Sequence, residues 1–362
     1  MQRLKVGFVM FTEVGLKTQY LNWKHTLTPE IGIDPVWIAI SWWEEGGSIE
    51  RLPLVPSGVK ARLRGQAQLR EGLAQAPFDA LFIGSNMVYV GQSQLASQPY
   101  FITTDVTPKQ LHDFGSLYNK VPSKFEFLEA RKDKERRAYY QNARLLFPWS
   151  HWAKQSMVED YGVDPGKAIV IPPGVDMARW TVPARTHDGT THILFVGGDF
   201  YRKGGDLLLE WAKQTQKKEW QLHLVTRDKV QPDDSRIHVY NGLSPNDPEL
   251  QRLYAQAHIF ALPTRGDCYS LAGIEAMATG LPVILSKTGG TGDIIRDGET
   301  GYLIGAGAGD ALSERLDYLL ESPEAQIQMG QAARQDAELR YDACRNIMQT
   351  IQKMRDALGA TA

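Results

Sequence analysis

The distribution of apolar residues along the chain predicts a protein of alternating strands and helices. Short runs rich in Val, Ile, Leu and Phe recur through the 362 residues, with amphipathic helical patterns between them. This alternation is typical of βαβ units and a mostly parallel sheet. The predicted strands are 4–10, 36–40, 79–84, 100–104, 144–148 and 168–171 in the first half, and 192–197, 221–226, 236–240, 258–263, 282–285 and 301–304 in the second.

The segment 172–191 separates the two sets of strands. It is rich in Pro, Gly and Thr and has no apolar periodicity, which is typical of a linker. Because a chain of this length exceeds the size of a single core, we predict one domain over 1–180, a second over 181–340, and a helix over 341–362 that packs back towards the first. The predicted fold class is α/β, with two doubly wound Rossmann-like domains facing a cleft that holds the active site.

Composition and charge exclude several classes of protein. Apolar residues make up 43% and charged residues 23% of the chain, as in ordinary globular proteins. The net charge of −2 provides no global field for nucleic acid, so we expect none as a partner. Before residue 181 the chain has 21 basic and 18 acidic residues (+3), and after it 19 and 24 (−5). This asymmetry is compatible with peripheral contact between the N-terminal domain and an anionic membrane surface.

The cellular location is predicted from the cysteines and the amino terminus. Cys268 and Cys344 form no CxxC pair and build no disulfide framework, which favours a reducing compartment. The apolar run 6–11 is too short for a secretory signal, and no run is long enough to cross a bilayer. We therefore expect a protein of the cytoplasm, with peripheral binding at the inner face of the membrane as part of that prediction.

The segment 261–284 contains the strongest chemical signal. A strand ends at Pro263, a loop follows, and a helix is predicted to begin near Ser270 or Leu271. Asp267 then lies in the loop, and Glu275 lies about one turn inside the helix. A carboxylate accepts hydrogen bonds from a diol, so this pair suits a ligand with ribose or hexose hydroxyls. The alternative is structural: Asp267 caps the helix and Glu275 pairs with a surface cation.

Two further features of the sequence suit a phosphate ligand. At the predicted start of this helix, the backbone N–H groups of Tyr269, Ser270 and Leu271 have no intrahelical partner and form an anion site. Arg202 and Lys203 follow another strand and a glycine-containing loop, where cations can neutralise a departing diphosphate. The alternative is a pair of solvated basic residues in a turn. Because the chain has no Asp-x-Asp and no ligand cluster with metal spacing, we expect no metal.

These motifs together resemble a known family. The Asp267-x7-Glu275 pair, followed by AMATGLPVILSKTGGTGDIIRDGETGYLI, resembles the donor-binding core of the retaining family 4 glycosyltransferases. Upstream, 192–211 looks like the family's first C-domain strand and phosphate loop, and 148–176 looks like its interdomain segment. The resemblance covers roughly 145–305. It implies the GT-B architecture and retaining transfer of a hexose from a nucleoside diphosphate sugar, with a UDP-sugar expected, to an unidentified glycan, lipid or small-molecule acceptor, without a cofactor.

The resemblance also implies roles for individual residues. Glu275 would hold the ribose, Asp267 the hydroxyls of the donor sugar, and the backbone of 269–271 the diphosphate and sugar. Arg202 and Lys203 would neutralise the diphosphate, and Arg227, just after the next strand, is a further candidate. The chain departs from the family pattern at three places: Asp267 stands for the usual Glu, Ser270 for a common Gly, and Gly198 and Asp199 where many relatives carry Arg.

The first half offers two weaker candidates. Gly15 follows the first strand, where similar proteins place a glycine so that backbone approaches the transferred phosphate; the alternative is a turn glycine. Asp105 follows another strand, where relatives carry a polar group facing the reacting sugar; the alternative is a helix N-cap before Pro108. Two other functions stay open for the whole chain: a GT-B epimerase or phosphorylase, and a non-catalytic nucleotide-sugar-binding partner subunit.

Overall fold

The protein folds into two compact units. The computed structural model describes residues 3–12, 15–84, 95, 98–118, 126–185 and 189–359. The first unit comprises Met1–Asp113, Val121–Pro172 and Cys344–Ala362, and the second comprises Phe114–Lys120 and Pro173–Ala343. The change of unit nearest to the predicted boundary falls after Pro172, whereas the sequence pattern predicts that boundary after residue 180. The segment that follows Pro173 pairs through Val175 with Asp342, which ties it to the second unit.

The first unit is built on a five-stranded parallel sheet. Its strand order is β2-β1-β3-β4-β5, so the direction of winding changes between β1 and β3. The strands are β1 Leu4–Phe11, β2 Ile33–Ile40, β3 Ala80–Gly84, β4 Tyr100–Thr104 and β5 Leu146–Pro148. The helices are α1 Gly15–Thr26, α2 Ser57–Leu73, α3 Pro108–Asp113, α4 Glu126–Gln141 and α5 His151–Glu159.

Both faces of this sheet are covered, which is why its strands are almost continuously apolar. On one face Phe8, Trp23 and Phe82 pack together, and the Trp23 and Phe82 ring centroids are 4.4 Å apart. The terminal helix of the chain joins this cluster through Ile347 and Ile351. One apolar stripe of that helix is therefore buried against the first unit.

The second unit is built on a six-stranded parallel sheet of order β11-β10-β9-β6-β7-β8. The order reverses between β6 and β9, as in a dinucleotide-binding fold. The strands are β6 Thr191–Val196, β7 Trp220–Val225, β8 Ile237–Tyr240, β9 Ile259–Leu262, β10 Val283–Ser286 and β11 Gly301–Ile304. The helices are α6 Gly205–Gln214, α7 Pro248–Gln256, α8 Leu271–Ala278, α9 Gly309–Glu321 and α10 Pro323–Arg340, followed by the terminal helix α11 Ala343–Leu358.

The predicted α/β class and two parallel sheets are confirmed, and the prediction of a strand over 168–171 is wrong. Ala168 forms only an isolated bridge with Leu146, although Ile171 donates to the Pro148 carbonyl at 3.0 Å. Pro172 and Pro173 follow and supply no N–H to continue a ladder. Among the described helices, none combines the length and apolar character needed to span a bilayer.

Candidate active site

Two predicted site residues meet at the carboxyl ends of β6 and β9, where the strand order reverses. Lys203 lies in the loop after β6 and Asp267 in the loop after β9, and their side chains form an ion pair. The exposed fractions of the two side chains are 16% and 6%. The topology therefore joins a cation and a carboxylate that are 64 residues apart in sequence, at the edge where open α/β sheets bind ligands.

Glycines allow these loops to approach each other. Gly204 has a φ of 79°, in the left-handed region, and a Cβ on it would overlap the Pro263 carbonyl. Gly289, in the turn after β10, has a φ of 55°, and a Cβ on it would overlap the Asp267 carbonyl. The loops after β6, β9 and β10 thus converge around Asp267.

Arg202 is held in place by several partners. Its Nε donates to Asp199 at 3.1 Å, and its Nη1 donates to the Gly266 carbonyl at 2.8 Å and the Tyr118 hydroxyl at 3.1 Å. The guanidinium also lies 4.6 Å from the centre of the Tyr118 ring. Arg202 thereby connects the loop after β6 to the backbone immediately before Asp267.

Helix α8 begins at Leu271, with Ser270 as its N-cap. The Ser270 hydroxyl accepts from the Gly273 N–H at 3.1 Å. The structural alternative in which Asp267 caps this helix is therefore wrong. The first-turn N–H groups are directed out of the amino end of α8 and give that end a partial positive charge, which suits an anion.

Glu275 lies inside α8 and is buried, with only 6% of its surface exposed. Its Oε2 accepts from the Tyr254 hydroxyl at 3.0 Å, and the described residues include no salt bridge to it. The alternative of pairing with a surface cation is therefore wrong. Burial raises the pKa of this carboxyl to about 7, and the hydrogen bond from Tyr254 opposes that shift. The side chain is thus poised to change its protonation near neutral pH.

The remaining candidates of the second unit lie on either side of this pair. The Tyr269 side chain is buried and hydrogen-bonds Tyr341, and burial raises its pKa well above the usual value. Only its backbone is available for the predicted contact with a ligand. Arg227 lies just after β7, and its Nε donates to the Gly198 carbonyl at 3.2 Å. Its side chain is exposed at the carboxyl edge of the sheet.

Gly15 and Asp105 belong to the first unit. Gly15 is the first residue of α1, and a Cβ there would meet nothing within 4 Å, so crowding does not require a glycine. Asp105 follows β4. Thr107 and Gln110 cap α3 reciprocally: the Thr107 hydroxyl accepts from the Gln110 N–H at 3.3 Å, and the Gln110 side chain accepts from the Thr107 N–H at 3.0 Å. The N-cap alternative for Asp105 is therefore wrong.

Sequence reasoning missed three residues of this site. Tyr118 and Tyr254 contact Arg202 and Glu275 across long sequence separations, and no local motif marks either tyrosine. Gly289 could have been predicted from the sequence, because it opens a Gly-Gly pair in the turn that begins after the predicted strand 282–285, and such glycines often mark a close backbone approach. The described residues include no group of three or more His, Cys, Asp or Glu side chains arranged to hold a metal ion.

The part of the chain that contains this site matches a known protein family. Residues 179–336 match the family "Glycosyl transferases group 1". D-inositol 3-phosphate glycosyltransferase of Pseudarthrobacter chlorophenolicus is 27% identical over 252 residues, which cover 62% of this chain and 59% of the relative. The chain thus spans about half the length of the curated relatives it matches. The resemblance to glycosyltransferases recognised in the sequence is confirmed by these matches.

Solved structures extend the similarity to the whole chain. Sucrose-phosphate synthase from Thermosynechococcus elongatus superposes with a TM-score of 0.75 at 18% identity, over 99% of this chain and 100% of that protein. Anabaena HepE, solved in complex with UDP-glucose, superposes with a TM-score of 0.69 at 16% identity, over 98% and 100%. At this level of identity the likeness defines the fold, and it is the GT-B fold of glycosyltransferases.

Proposed function

We propose that the protein is a glycosyltransferase that moves a hexose from a nucleoside diphosphate sugar to an acceptor hydroxyl. One observation carries this proposal: the Lys203–Asp267 ion pair lies at the strand switch point, on the loop that leads into the helix containing buried Glu275. A cation, a carboxylate and a second carboxylate in this order suit a ligand that combines phosphate with two sets of hydroxyls. The match of this part of the chain to a glycosyltransferase family supports it.

Each side chain has a proposed role in this reaction. Glu275 accepts from the ribose hydroxyls, and Asp267 accepts from the hydroxyls of the donor sugar. Lys203 and the amino end of α8, with the backbone of 269–271, hold the diphosphate. As the bond between the anomeric carbon and the phosphate oxygen breaks, its electron pair passes to the diphosphate, and the fixed positive charge stabilises that product. Gly15 and Asp105 remain proposed contacts for the reacting groups.

Four finer properties are part of the proposal. The anomeric configuration is retained, as the resemblance to family 4 implies. The donor is a UDP-sugar; the UDP-glucose complex of the structurally similar HepE supports this choice. The reaction needs no divalent metal, because side-chain cations supply the positive charge at the diphosphate. The acceptor is a glycan, a lipid or a small molecule.

The proposed setting is the cytoplasm, including the inner face of the membrane. The small basic excess of the first half of the sequence supports contact with an anionic surface. The overall charge of −2 argues against nucleic acid as a partner. Two alternatives stay open: an epimerase or phosphorylase of the same fold, and a non-catalytic subunit that binds nucleotide sugar. The following experiment distinguishes the non-catalytic subunit from an enzyme.

The test is a screen of UDP-, GDP- and ADP-hexoses for thermal stabilisation and slow donor hydrolysis. A ligand that binds only the folded state raises the melting temperature, and hydrolysis reports cleavage of the sugar–phosphate bond. Asp267→Asn should preserve nucleoside diphosphate affinity and lower turnover on the order of 10²-fold, with the exposed Asp310→Asn as control. Binding without hydrolysis or transfer would indicate a non-catalytic subunit. Equal loss of nucleotide and nucleotide-sugar affinity would contradict the assignment of Asp267 to the sugar.

A further inference from the structure

Two glycines directly after β6 each leave room for a cationic side chain. A Cβ on Gly197 would lie 2.8 Å from Cβ of Lys203 and 2.7 Å from the ring of Phe195. A Cβ on Gly198 would lie 2.8 Å from Nε of Arg227 and 3.3 Å from its Cζ. The Arg227 guanidinium therefore occupies the space that a side chain at position 198 would take.

The neighbouring cations already form ion pairs with carboxylates of the same unit. Lys203 pairs with Asp267, and Arg202 with Asp199. Arg265 binds Asp206 through both Nη atoms, at 2.7 and 2.8 Å. Arg227 differs because its partner is the neutral Gly198 carbonyl, at 3.2 Å, and no salt bridge to it is found in the described part of the chain. Its positive charge is exposed to solvent and available to an anion.

Arg202 is poorly placed to exchange its partners for a ligand. Its Nε and Nη1 are used by Asp199, Gly266 and Tyr118, and its guanidinium stacks on the Tyr118 ring. Releasing it would leave these partners without their hydrogen bonds, and a buried polar group without a partner is unfavourable. Arg227 would release only one long bond to a carbonyl at the sheet edge.

We propose that the absence of a side chain at Gly198 leaves the space that the Arg227 guanidinium occupies. We propose further that Arg227 is the arginine that contacts the diphosphate of the donor. Arg202 is then a positioning residue that holds the backbone before Asp267. This inference rests on the proposed function, since it assumes a nucleoside diphosphate ligand. It assigns the arginine contact to the loop after β7, and it gives the glycine at position 198 a specific purpose.

The contact between Gly198 and Arg227 can be tested by adding a methyl group at position 198. Gly198 does not have a left-handed φ, and the atoms that the new methyl would meet belong to the end of a flexible side chain. Gly198→Ala should therefore fold normally and displace only the guanidinium. Gly197→Ala is a poorer probe, because its methyl would press on the buried Phe195 ring and the stem of Lys203.

The experiment is calorimetric titration of UDP, GDP and ADP into the full chain and four variants. The variants are Arg227→Ala, Gly198→Ala, the double variant, and Lys229→Ala as an exposed cation of the same loop. Arg227→Ala should weaken binding of the preferred diphosphate about tenfold. Gly198→Ala should give a similar loss, and the double variant should lose no more than Arg227→Ala alone, as expected for coupled sites. Lys229→Ala should leave the affinity within about twofold of the parent chain.

The possible results separate this inference from the proposed function. If the parent chain binds none of the three diphosphates, the proposed function fails. If it binds one of them and Arg227→Ala binds equally well, the assignment of Arg227 is overturned. Additive losses in the double variant would overturn the role of Gly198. Thermal melting of each variant verifies that an affinity change does not come from unfolding.

Discussion

At the scale of single residues, burial decides what Glu275 does. An exposed carboxylate would be charged at neutral pH in any ligand state. Enclosed in α8 with Tyr254 as its hydrogen-bond partner, this carboxyl has a pKa of about 7. In the proposed function, ribose hydroxyls would donate to the ionised form and stabilise it, so nucleotide binding and loss of this proton are expected to be linked.

The first prediction concerns the pH dependence of stability. The pKa of Glu275 is raised above its unfolded value of 4.5, so the folded state holds the extra proton between pH 4.5 and about 7. Its contribution to stability is therefore lost as the pH rises through that window, by up to about 3 kcal/mol. Glu275→Gln should remove this slope. Urea denaturation of parent and variant at pH 5 and pH 8 measures it, with exposed Glu324→Gln as control.

A constant difference between Glu275→Gln and the parent chain at both pH values would contradict the raised pKa. The same variant also tests the ribose contact. Its affinity for the preferred nucleoside diphosphate should fall, since a charged acceptor contributes about 1.5–3 kcal/mol to such hydrogen bonds. Unchanged affinity in a folded variant would contradict that role.

At the scale of elements, the candidate site lies in the loops at the carboxyl edge of the second sheet. The strands that lead into these loops carry a row of histidines. His192 on β6 lies 2.9 Å, Nδ1 to Nε2, from His223 on β7. His223 Nδ1 lies 3.1 Å from the Tyr240 hydroxyl on β8. The His223 and His238 rings stack at 5.2 Å. Burial, together with His192, His238 and Arg252 on α7, lowers the pKa of His223 to about 3.

The second prediction follows from this row. A histidine whose folded pKa is depressed contributes stability that is present above pH 6.5 and lost as the pH falls towards 3. The parent chain should lose about 2 kcal/mol of stability from this group between pH 6.5 and pH 5. His223→Gln should be less stable at pH 7 and should lack this acid slope. The measurement is the urea midpoint of parent and variant across that pH range, with the exposed His112→Gln as control. If His223→Gln keeps the parent's pH slope, as the control should, the prediction is wrong.

At the scale of the whole molecule, the chain contributes the short segment Phe114–Lys120 to the second unit and leaves the first unit again after Pro172. It then builds the rest of the second unit and returns to the first in its last helix. Each unit has its own parallel sheet and core. The cations proposed for the diphosphate all belong to the second unit. Because Arg227 and Lys203 are cationic side chains of this unit, leaving-group stabilisation is expected to need no added ion.

The third prediction is therefore that donor hydrolysis survives EDTA. The rate in the presence of chelator should stay within about twofold of the untreated rate, because permanent side-chain charges replace the metal. The measurement needs only the donor found in the screen, and Arg227→Ala provides a control in which the charge has been removed. Complete loss on chelation, restored by Mg²⁺ or Mn²⁺, would mean that an acidic site binds metal and that the charge stabiliser has been misassigned.

Local patterns along the chain predict the class of fold and several residues of the candidate site. Alternating apolar runs and helical patterns are local signals, and they located almost every strand of both sheets. The edge strand β2 begins at Ile33, whereas the prediction begins at residue 36. A strand can include Pro35 because a sheet edge tolerates a residue without an N–H donor. The Asp267 and Glu275 spacing is also local, since one strand–loop–helix unit carries both residues.

Which side chains lie together in the candidate site depends on the tertiary fold. Lys203 meets Asp267, Tyr118 holds Arg202, and Arg227 lies over Gly198, in each case across a long stretch of chain. Such pairings depend on strand order and on the close approach of loops, which periodicity along one segment does not encode. The charge state of Glu275 was likewise decided by its surroundings, because desolvation is a property of everything packed around a group and not of its place in the sequence.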